Sequence, residues 1–278
     1  MAREVDVDHI MILCENPEAE MNAFRASTGF PEAWPMTDFG AILTGAVWAG
    51  RMGIEFARLE GARNAPTRLA GLALSTRLEP WQLAETLRVD GIPHVPPTFI
   101  SLDPDVELSW TNTLVGGVLT HEPNTLWLGR LFGGDRPLAR WLAKMVEQMA
   151  AKPGGIERMN AVIKDELAFF VHYHPEATAR ERREAARDAF ASEFPEPVTA
   201  DFRVSVELDV AQNGSHRANW ERLIGSAIRL PGEWSSPSGV SLRFSPASET
   251  RLRHVRIEGL YGEVRALPPS LEEFISLS

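Results

Sequence analysis

The segment VDHIMILCENPEAEMNAFRASTG, residues 7–29, contains one strand and one helix together with their start and stop signals. Its first eight residues form a largely apolar run, which predicts a buried strand. Asn16 is a suitable helix N-cap, Pro17 fits the first helical position, and Gly29 follows the last helical turn as a stop. The segment therefore predicts a β-α unit.

The same order of signals occurs twice more along the chain. The run LAGLALST (69–76) leads into a second amphipathic helix that stops at Gly91, and FRVSVELDV (202–210) leads into a third that stops at Gly225. Each unit is followed by further strand-like segments rather than by another helix. This recurrence predicts an internal duplication with a β-α-β-β-β period. Such a period favours the α+β class, with mixed sheets and helices on one side, over a doubly wound parallel sheet.

Composition places the chain among ordinary globular proteins. It has 278 residues, of which 44% are hydrophobic and 24% charged, and its net charge is −10. This charge disfavours nucleic acid as a partner. The apolar run Ile10 to Cys14 is too short for a signal peptide or a membrane span, and a single cysteine allows no internal disulfide. We therefore expect a cytoplasmic protein with no membrane partner.

Two segments do not fit the repeat. Residues 136–150 place six large apolar side chains on one helical stripe, which predicts a helical insertion within about residues 120–165. The stripe suits either a homodimer contact or packing over a site. The second segment, TARERREAARDAF, begins with Thr178 and Glu181 in capping-box spacing and predicts a solvated connecting helix.

The stretch FFVHYHPE, residues 169–176, holds the most conspicuous pair of polar groups. In a strand, His172 and His174 share one face, whereas Phe169, Val171 and Tyr173 share the other. The pair fits a metal site or the solvated end of a core strand. A HisXHis strand is also found in cupins, but their glycine-framed context is missing here. No dinucleotide loop, phosphate loop or GlyXSerXGly elbow is present elsewhere in the sequence.

Several short motifs together resemble the vicinal oxygen chelate superfamily, which includes glyoxalase-like, bleomycin-resistance-like and extradiol dioxygenase-like proteins. Unit one supplies ValAspHisIle (7–10), the helix led by Pro17, and GlyIleGluPhe (53–56). Unit two supplies LAGLALST, ArgValAspGlyIlePro (88–93), the strand around Trp110, and PhePheValHisTyr (169–173). The resemblance covers most of the chain. It implies repeated βαβββ modules whose curved, mixed sheets enclose a cup-shaped site, with helices on the outer face.

The resemblance also implies a division of the chain. Residues 1–176 would form paired modules, with module one at about 1–66 and module two at about 67–176, including the insertion at about 120–165. Residues 177–278 would contain the connecting helix, a third module and a truncated fourth.

In this superfamily, the first and fourth strands of each module each supply a potential metal ligand. Carried over to this sequence, these positions are His9 and Glu55 in module one and His172 in module two, where Gly71 occupies the first-strand position and has no ligating group. In module three they are Ser205 and Arg243, which do not hold a metal. Two histidines and a carboxylate suit a divalent Zn, Fe, Mn or Ni ion with open coordination positions.

These residues lead to a functional hypothesis with one alternative. The ion would chelate two adjacent oxygens of a small oxygenated substrate and stabilise an enolate or alkoxide, as in an isomerase, lyase or dioxygenase. His174 would be a catalytic base, and His94 and Trp110 would contact the substrate. The alternative is a metal-free protein that binds or sequesters a small molecule, as bleomycin-resistance proteins do. Gly71 and the third module, which lacks ligands, both favour it.

Overall fold

The chain forms two β-sheets that share one hydrophobic core. The computed structural model describes residues 4–39, 42–59, 66–100, 109–121, 134, 136–150, 152, 166–174, 188, 202–212, 214–260 and 266–278. The first sheet contains β1 (Val5–Leu13), β2 (Glu32–Asp38), β3 (Ile42–Ala49), β4 (Met52–Leu59), β5 (Arg68–Thr76), β6 (Thr98–Ile100), β7 (Ser109–Val115) and β8 (Leu167–His174). The second contains β9 (Arg203–Ala211), β10 (Gly232–Ser235), β11 (Ser241–Ala247), β12 (Arg251–Glu258) and β13 (Ile275–Leu277). The helices are α1 (Pro17–Thr28), α2 (Pro80–Val89), α3 (Pro137–Ala150), α4 (Ser215–Ile224) and α5 (Pro269–Glu272).

The first sheet is built from two βαβββ modules placed side by side. Its strand order is β2-β3-β4-β1-β5-β8-β7-β6. In each module the first strand runs parallel to the fourth, β1 beside β4 and β5 beside β8, and the two first strands meet antiparallel at the centre. The predicted α+β class, with repeated modules in a mixed and curved sheet, is confirmed.

The second sheet follows the same scheme in shorter form. Its order is β10-β11-β9-β12-β13, with β9 parallel to β11, β12 parallel to β13, and β9 antiparallel to β12. The described residues give β9-α4-β10-β11 for the third module and β12-α5-β13 for the fourth. The predicted connecting helix and most of the predicted insertion lie outside the described residues.

Local signals fix the first helix as the sequence predicts. The Asn16 side chain accepts a hydrogen bond from the Ala19 amide at 3.3 Å, which satisfies one of the free N–H groups at the helix start. Pro17 is the first helical residue. Gly29 ends the helix with φ of 73°, a left-handed conformation that glycine adopts without a Cβ penalty.

One hydrophobic core joins the two sheets. The cluster contains alternating residues from the helix side of both sheets, together with side chains from the helices such as Phe24 and Trp220. Trp220 on α4 is fully buried, and its indole N–H donates to the Val118 carbonyl at 2.7 Å. The neighbouring Asn219 amide donates to the Gly117 carbonyl, also at 2.7 Å. Two hydrogen bonds therefore join helix α4, in the second half of the chain, to the segment that follows β7.

Helix α3 lies where the apolar stripe predicts a helix. Its small residues Ala139 and Ala143 are buried, whereas Leu138, Trp141 and Met149 are exposed by about half. The predicted stripe is therefore only partly covered by described parts of the chain. No helix among the described residues is long and apolar enough to cross a membrane.

Candidate ligand-binding site

The side of the first sheet that faces away from α1 and α2 is called the cup face below. Along each central strand, residues alternate between the helix-side core and this face, as expected for a pleated sheet. Its centre is an apolar surface formed by Met11, Leu13, Ala57, Leu59, Ala70, Ala73, Leu167, Phe169 and Val171, with Ile42, Trp110, Leu114 and Tyr173 packed against them. Two of the predicted ligands, His9 and Glu55, lie on this face.

A β-bulge in β1 interrupts the alternation at Asp8. The pairing of β1 with β5 passes from Val7 opposite Leu74 directly to His9 opposite Ala73, so Asp8 is an extra residue. Val7 and Ile10 consequently both lie in the helix-side core, although they are an odd number of residues apart. The bulge brings the Asp8 carboxylate to the ring of His9. Bulges of this kind re-aim side chains next to functional sites.

Asp8, His9 and Glu55 form a buried hydrogen-bonded cluster. His9 Nδ1 lies 2.9 Å from Asp8 Oδ1, and His9 Nε2 lies 3.2 Å from Glu55 Oε2. The Tyr173 hydroxyl donates to Asp8 Oδ1 at 3.0 Å, and the Thr44 hydroxyl donates to Glu55 Oε1 at 2.6 Å. Each of the three central residues is less than a tenth exposed. The structure therefore brings together two of the predicted ligands, His9 and Glu55, and adds Asp8.

The two carboxylates keep His9 protonated. Burial by itself disfavours the imidazolium, but the hydrogen bonds to Asp8 and Glu55 and the charges of these groups outweigh that effect and raise the pKa of His9 to about 9. With both ring nitrogens donating, the cluster contains two carboxylates around one imidazolium. Its carboxylate oxygens are hydrogen-bond acceptors.

The pH dependence of stability tests this charge assignment. The His9 pKa is about 9 in the folded chain, against about 6.5 when unfolded. Stabilisation by protonated His9 is complete below about pH 6.5 and falls by about 3 kcal/mol as the pH rises through 9. Urea unfolding of the wild type across this range should show the loss, and His9→Gln should lack it. A constant difference between the two proteins from about pH 6 to pH 10 would contradict the assignment.

His172 does not join this cluster, which corrects the predicted ligand set. Its strand neighbours Phe169 and Val171 lie on the cup face, whereas Phe170 lies in the helix-side core, so alternation places His172 on the helix side. There its Nε2 atom is 3.9 Å from a carboxylate oxygen of Glu79, immediately before α2. His172 and the pair His9 and Glu55 therefore occupy opposite faces of the sheet.

The strand register shows which residues of module two match the two ligand positions. Glu55 lies opposite Met11, two residues after His9. The matching pair in module two is Phe169 opposite Ala73, two residues after Gly71. Gly71 and Phe169 thus stand where a second pair of ligands would be, and neither side chain binds a metal. The Phe169 ring instead packs edge-on against the His9 ring, with centroids 5.7 Å apart.

The described side chains on the cup face do not fit a resident divalent metal ion. Both nitrogens of His9 are engaged by carboxylates, and module two contributes a glycine and a phenylalanine. Among the described residues, no group of three His, Cys, Asp or Glu side chains is arranged to hold a metal. The Ser205 and Arg243 positions of module three are not ligands either, since Arg243 pairs with Glu233 and Glu258.

The other predicted site residues have different surroundings. The His174 ring packs beside His172 on the helix side, its Nε2 atom is 2.9 Å from Thr111 Oγ1, and burial together with the nearby His172 lowers its pKa. His94 is buried, with Nδ1 donating to the Ile92 carbonyl and Nε2 accepting from the Gly134 amide, which is a structural role. Of these predicted contacts, only Trp110 packs against the cup face, opposite Tyr173.

Two further polar atoms on the cup face have no hydrogen-bond partner within the described part of the chain. They are Trp48 Nε1 on β3 and Asn112 Oδ1 on β7, and both atoms are buried. Trp48 lies opposite Gly53, which in turn lies opposite His9, so the indole and the cluster share one row across the sheet. Asn112 lies opposite Val171, in the half of the sheet formed by module two. Buried polar groups are normally satisfied, so these two atoms are exceptions on this face.

Comparison with known proteins supports the fold. No protein-family model and no curated protein matches the sequence. A hypothetical protein from Staphylococcus aureus is similar over 99% of both chains, with a TM-score of 0.56 and 9% identity. A mutant 4-hydroxymandelate synthase from Streptomyces coelicolor is similar over 92% of this chain and 71% of its own, with a TM-score of 0.51 and 9% identity. An Mn(II)-bound glyoxalase from Novosphingobium aromaticivorans covers 93% and 66%, with a TM-score of 0.45 and 8% identity.

The chain shares the fold of the Staphylococcus aureus protein and of the 4-hydroxymandelate synthase, which supports the fold that the resemblance in the sequence implies. At these identities the similarity establishes architecture, and the chemistry of the site has to be argued from its own residues.

Proposed function

We propose that this chain binds a small, largely apolar molecule on the cup face and does so without a resident metal ion. The observation that carries the proposal is the coexistence, on one apolar sheet face, of a buried charged cluster and two unpartnered polar atoms. Ligand sites are typically apolar surfaces with a few convergent polar groups. The metal-free alternative considered from the sequence is therefore favoured over the metal-dependent enzyme.

Aromatic side chains supply the walls of this site. Trp34 packs edge-on against the His9 ring at 5.9 Å between centroids, and Gly53 leaves the space that this contact needs, because a Cβ there would meet His9 Cβ at 3.0 Å. Trp110 and Tyr173 lie opposite each other in the half of the sheet formed by module two. A flat apolar ligand between these rings would bury its surface and touch the polar atoms of the floor.

The metal-dependent lyase, isomerase or oxygenase hypothesis requires a convergent ligand set. His9 and Glu55 alone leave most of the coordination sphere of a divalent ion to water or substrate. We therefore expect protein purified without chelators to contain far less than one equivalent of Zn, Fe, Mn or Ni. A stoichiometric metal content by elemental analysis would restore the enzyme hypothesis.

A fluorescent probe provides the direct test of binding. N-phenyl-1-naphthylamine is uncharged at neutral pH and brightens in apolar surroundings, so it should bind the wild type with or without a chelator. Trp110→Ala should weaken its binding about tenfold, since one aromatic contact contributes about 1 kcal/mol beyond its buried area. The matched control is Trp141→Ala, which removes an exposed tryptophan on α3.

Two results would contradict the proposal. One is the absence of probe binding to the wild type, and the other is equal affinity of wild type and Trp110→Ala. Binding that disappears when a chelator is added would show that a metal forms part of the site.

A further inference from the structure

Helix α3 has a wider apolar surface than the described parts of the chain cover. Its small residues Ala139 and Ala143 are buried against the protein. Another side carries a row of large apolar residues at spacings of three and four, called the outer stripe below. The outer stripe consists of Leu138, Trp141, Met145 and Met149. All of these except Met145, which is partly buried, are more than half exposed, and an exposed apolar patch of this kind marks an interaction surface.

Contacts with neighbouring elements hold α3 in one orientation. The Glu147 carboxylate accepts a hydrogen bond from the Phe99 amide on the edge strand β6 at 3.3 Å. The Arg140 guanidinium lies over the Trp81 ring of α2, 5.4 Å from its centroid. By helical periodicity, Arg140 and Glu147 lie on the side opposite the outer stripe. The helix is therefore anchored on one side and presents its apolar row on the other.

The charge of this segment is opposite in sign to that of the whole chain. Residues 136–152 contain four basic side chains and one acid, Glu147, whereas the net charge of the chain is −10. The chain has only three lysines, which all lie in or after this helix: Lys144, Lys152 and Lys164. Lys144 and Lys152 are exposed. A lysine lays its flexible stem along an apolar surface and keeps its ammonium group among polar or anionic groups.

This combination favours an anionic lipid surface over a second copy of the chain. Two copies that met through their outer stripes would bring their basic flanks together, and like charges repel. A helix that carries Trp and Leu beside Lys and Arg instead lies flat in the interface of a bilayer. Its apolar side chains then enter the boundary of the acyl chains, and its cations meet anionic head groups.

We propose that α3 docks the protein on anionic lipid membranes, with the outer stripe inserted at the interface and Lys144 and Lys152 at the head groups. The sequence led us to expect no membrane partner because it lacks a span and a signal peptide, and this mode of binding needs neither. The helix lies beside α2 and β6, so membrane docking is a property additional to ligand binding in the cup.

Vesicles of two compositions test the proposal. One contains phosphatidylcholine with about 30% phosphatidylglycerol, and the other contains phosphatidylcholine alone. In co-sedimentation, the wild type should bind the anionic vesicles at least about tenfold more strongly than the neutral ones. Raising NaCl to about 0.5 M should weaken this binding, because salt screens the attraction.

Matched variants assign the binding to α3. The double variant Lys144→Gln with Lys152→Gln should bind the anionic vesicles about thirtyfold more weakly, since each lysine near such a surface contributes a factor of about five. Arg203→Gln with Arg229→Gln removes the same charge at exposed positions in the second half and should bind as the wild type does. Trp141→Ala should weaken binding about tenfold while leaving the fold intact, because this side chain is largely exposed.

Several results would overturn the proposal. They are the absence of binding to the anionic vesicles, equal binding to the neutral vesicles, and unchanged binding in Trp141→Ala. An equal loss of binding in the arginine double variant would show a general charge effect in place of a site on α3. In sedimentation velocity without lipid, a wild-type dimer that Trp141→Ala converts to a monomer would assign the outer stripe to a second copy of the chain.

Discussion

His9→Leu should lower the free energy of unfolding by about 3–5 kcal/mol at neutral pH, because removing one partner of a buried ion pair leaves the others uncompensated. Leucine is close to histidine in size, so the loss would not arise mainly from a cavity. Asp8 and Glu55 would remain buried without the imidazolium between them, while the Tyr173 and Thr44 hydroxyls still donate to them. Urea denaturation followed by circular dichroism measures the change.

A second histidine provides the control for this substitution. His121 is exposed and pairs with Glu249 at 3.2 Å. His121→Leu should change stability by no more than about 0.5 kcal/mol, as is usual for surface positions. Removing one of the two remaining carboxylates with Glu55→Gln in the His9→Leu background should recover part of the loss. A cost below about 1 kcal/mol for His9→Leu would mean that the cluster is hydrated rather than buried.

Trp220→Ala should cost about 3–5 kcal/mol as well, for a different reason. The side chain is fully buried where the two halves of the molecule meet, packs edge-on against Phe244, and donates to the Val118 carbonyl. Its removal leaves a large cavity and takes away the indole donor to the Val118 carbonyl at the junction. Thermal or urea unfolding, monitored by circular dichroism, gives the magnitude.

Trp141→Ala is the matched control, since Trp141 on α3 is 58% exposed and should contribute about 0.5 kcal/mol or less. A Trp220→Phe variant separates the ring from its N–H, and should cost less than the alanine variant. Two separate unfolding transitions in Trp220→Ala, one of them at the wild-type midpoint, would contradict this prediction. They would mean that the two sheets do not share one cooperative core.

Those parts of the fold that depend on local signals could be predicted from the sequence. The cap at Asn16, the proline at position 17 and the stop at Gly29 act within one helix, and each is found where the sequence places it. The module period follows from the recurrence of these signals. The sheet face on which Glu55 lies could also be predicted, because Glu55 alternates with Ile54 and Phe56 in a regular strand.

The site was harder to predict because it depends on pairing between distant strands. Matching ValHisTyr (171–173) to IleGluPhe (54–56) selects His172, but the register of β8 against β5 shifts the correspondence by three residues, to Phe169. A shift by an odd number moves a side chain to the opposite face. The bulge at Asp8 exists only in the pairing of β1 with β5, so no pattern within β1 reveals it.

The bulge in β1 has counterparts in other modules. In β5 the extra residue is Ala70, followed by Gly71, and in β12 it is Arg253, followed by His254. Each copy turns two adjacent residues out of the regular alternation, but the pairs differ: Asp and His, Ala and Gly, Arg and His. The bulge is thus common to three modules, but the side chains at it differ in each. The same backbone feature can therefore carry a charged pair in one module and an apolar pair in another.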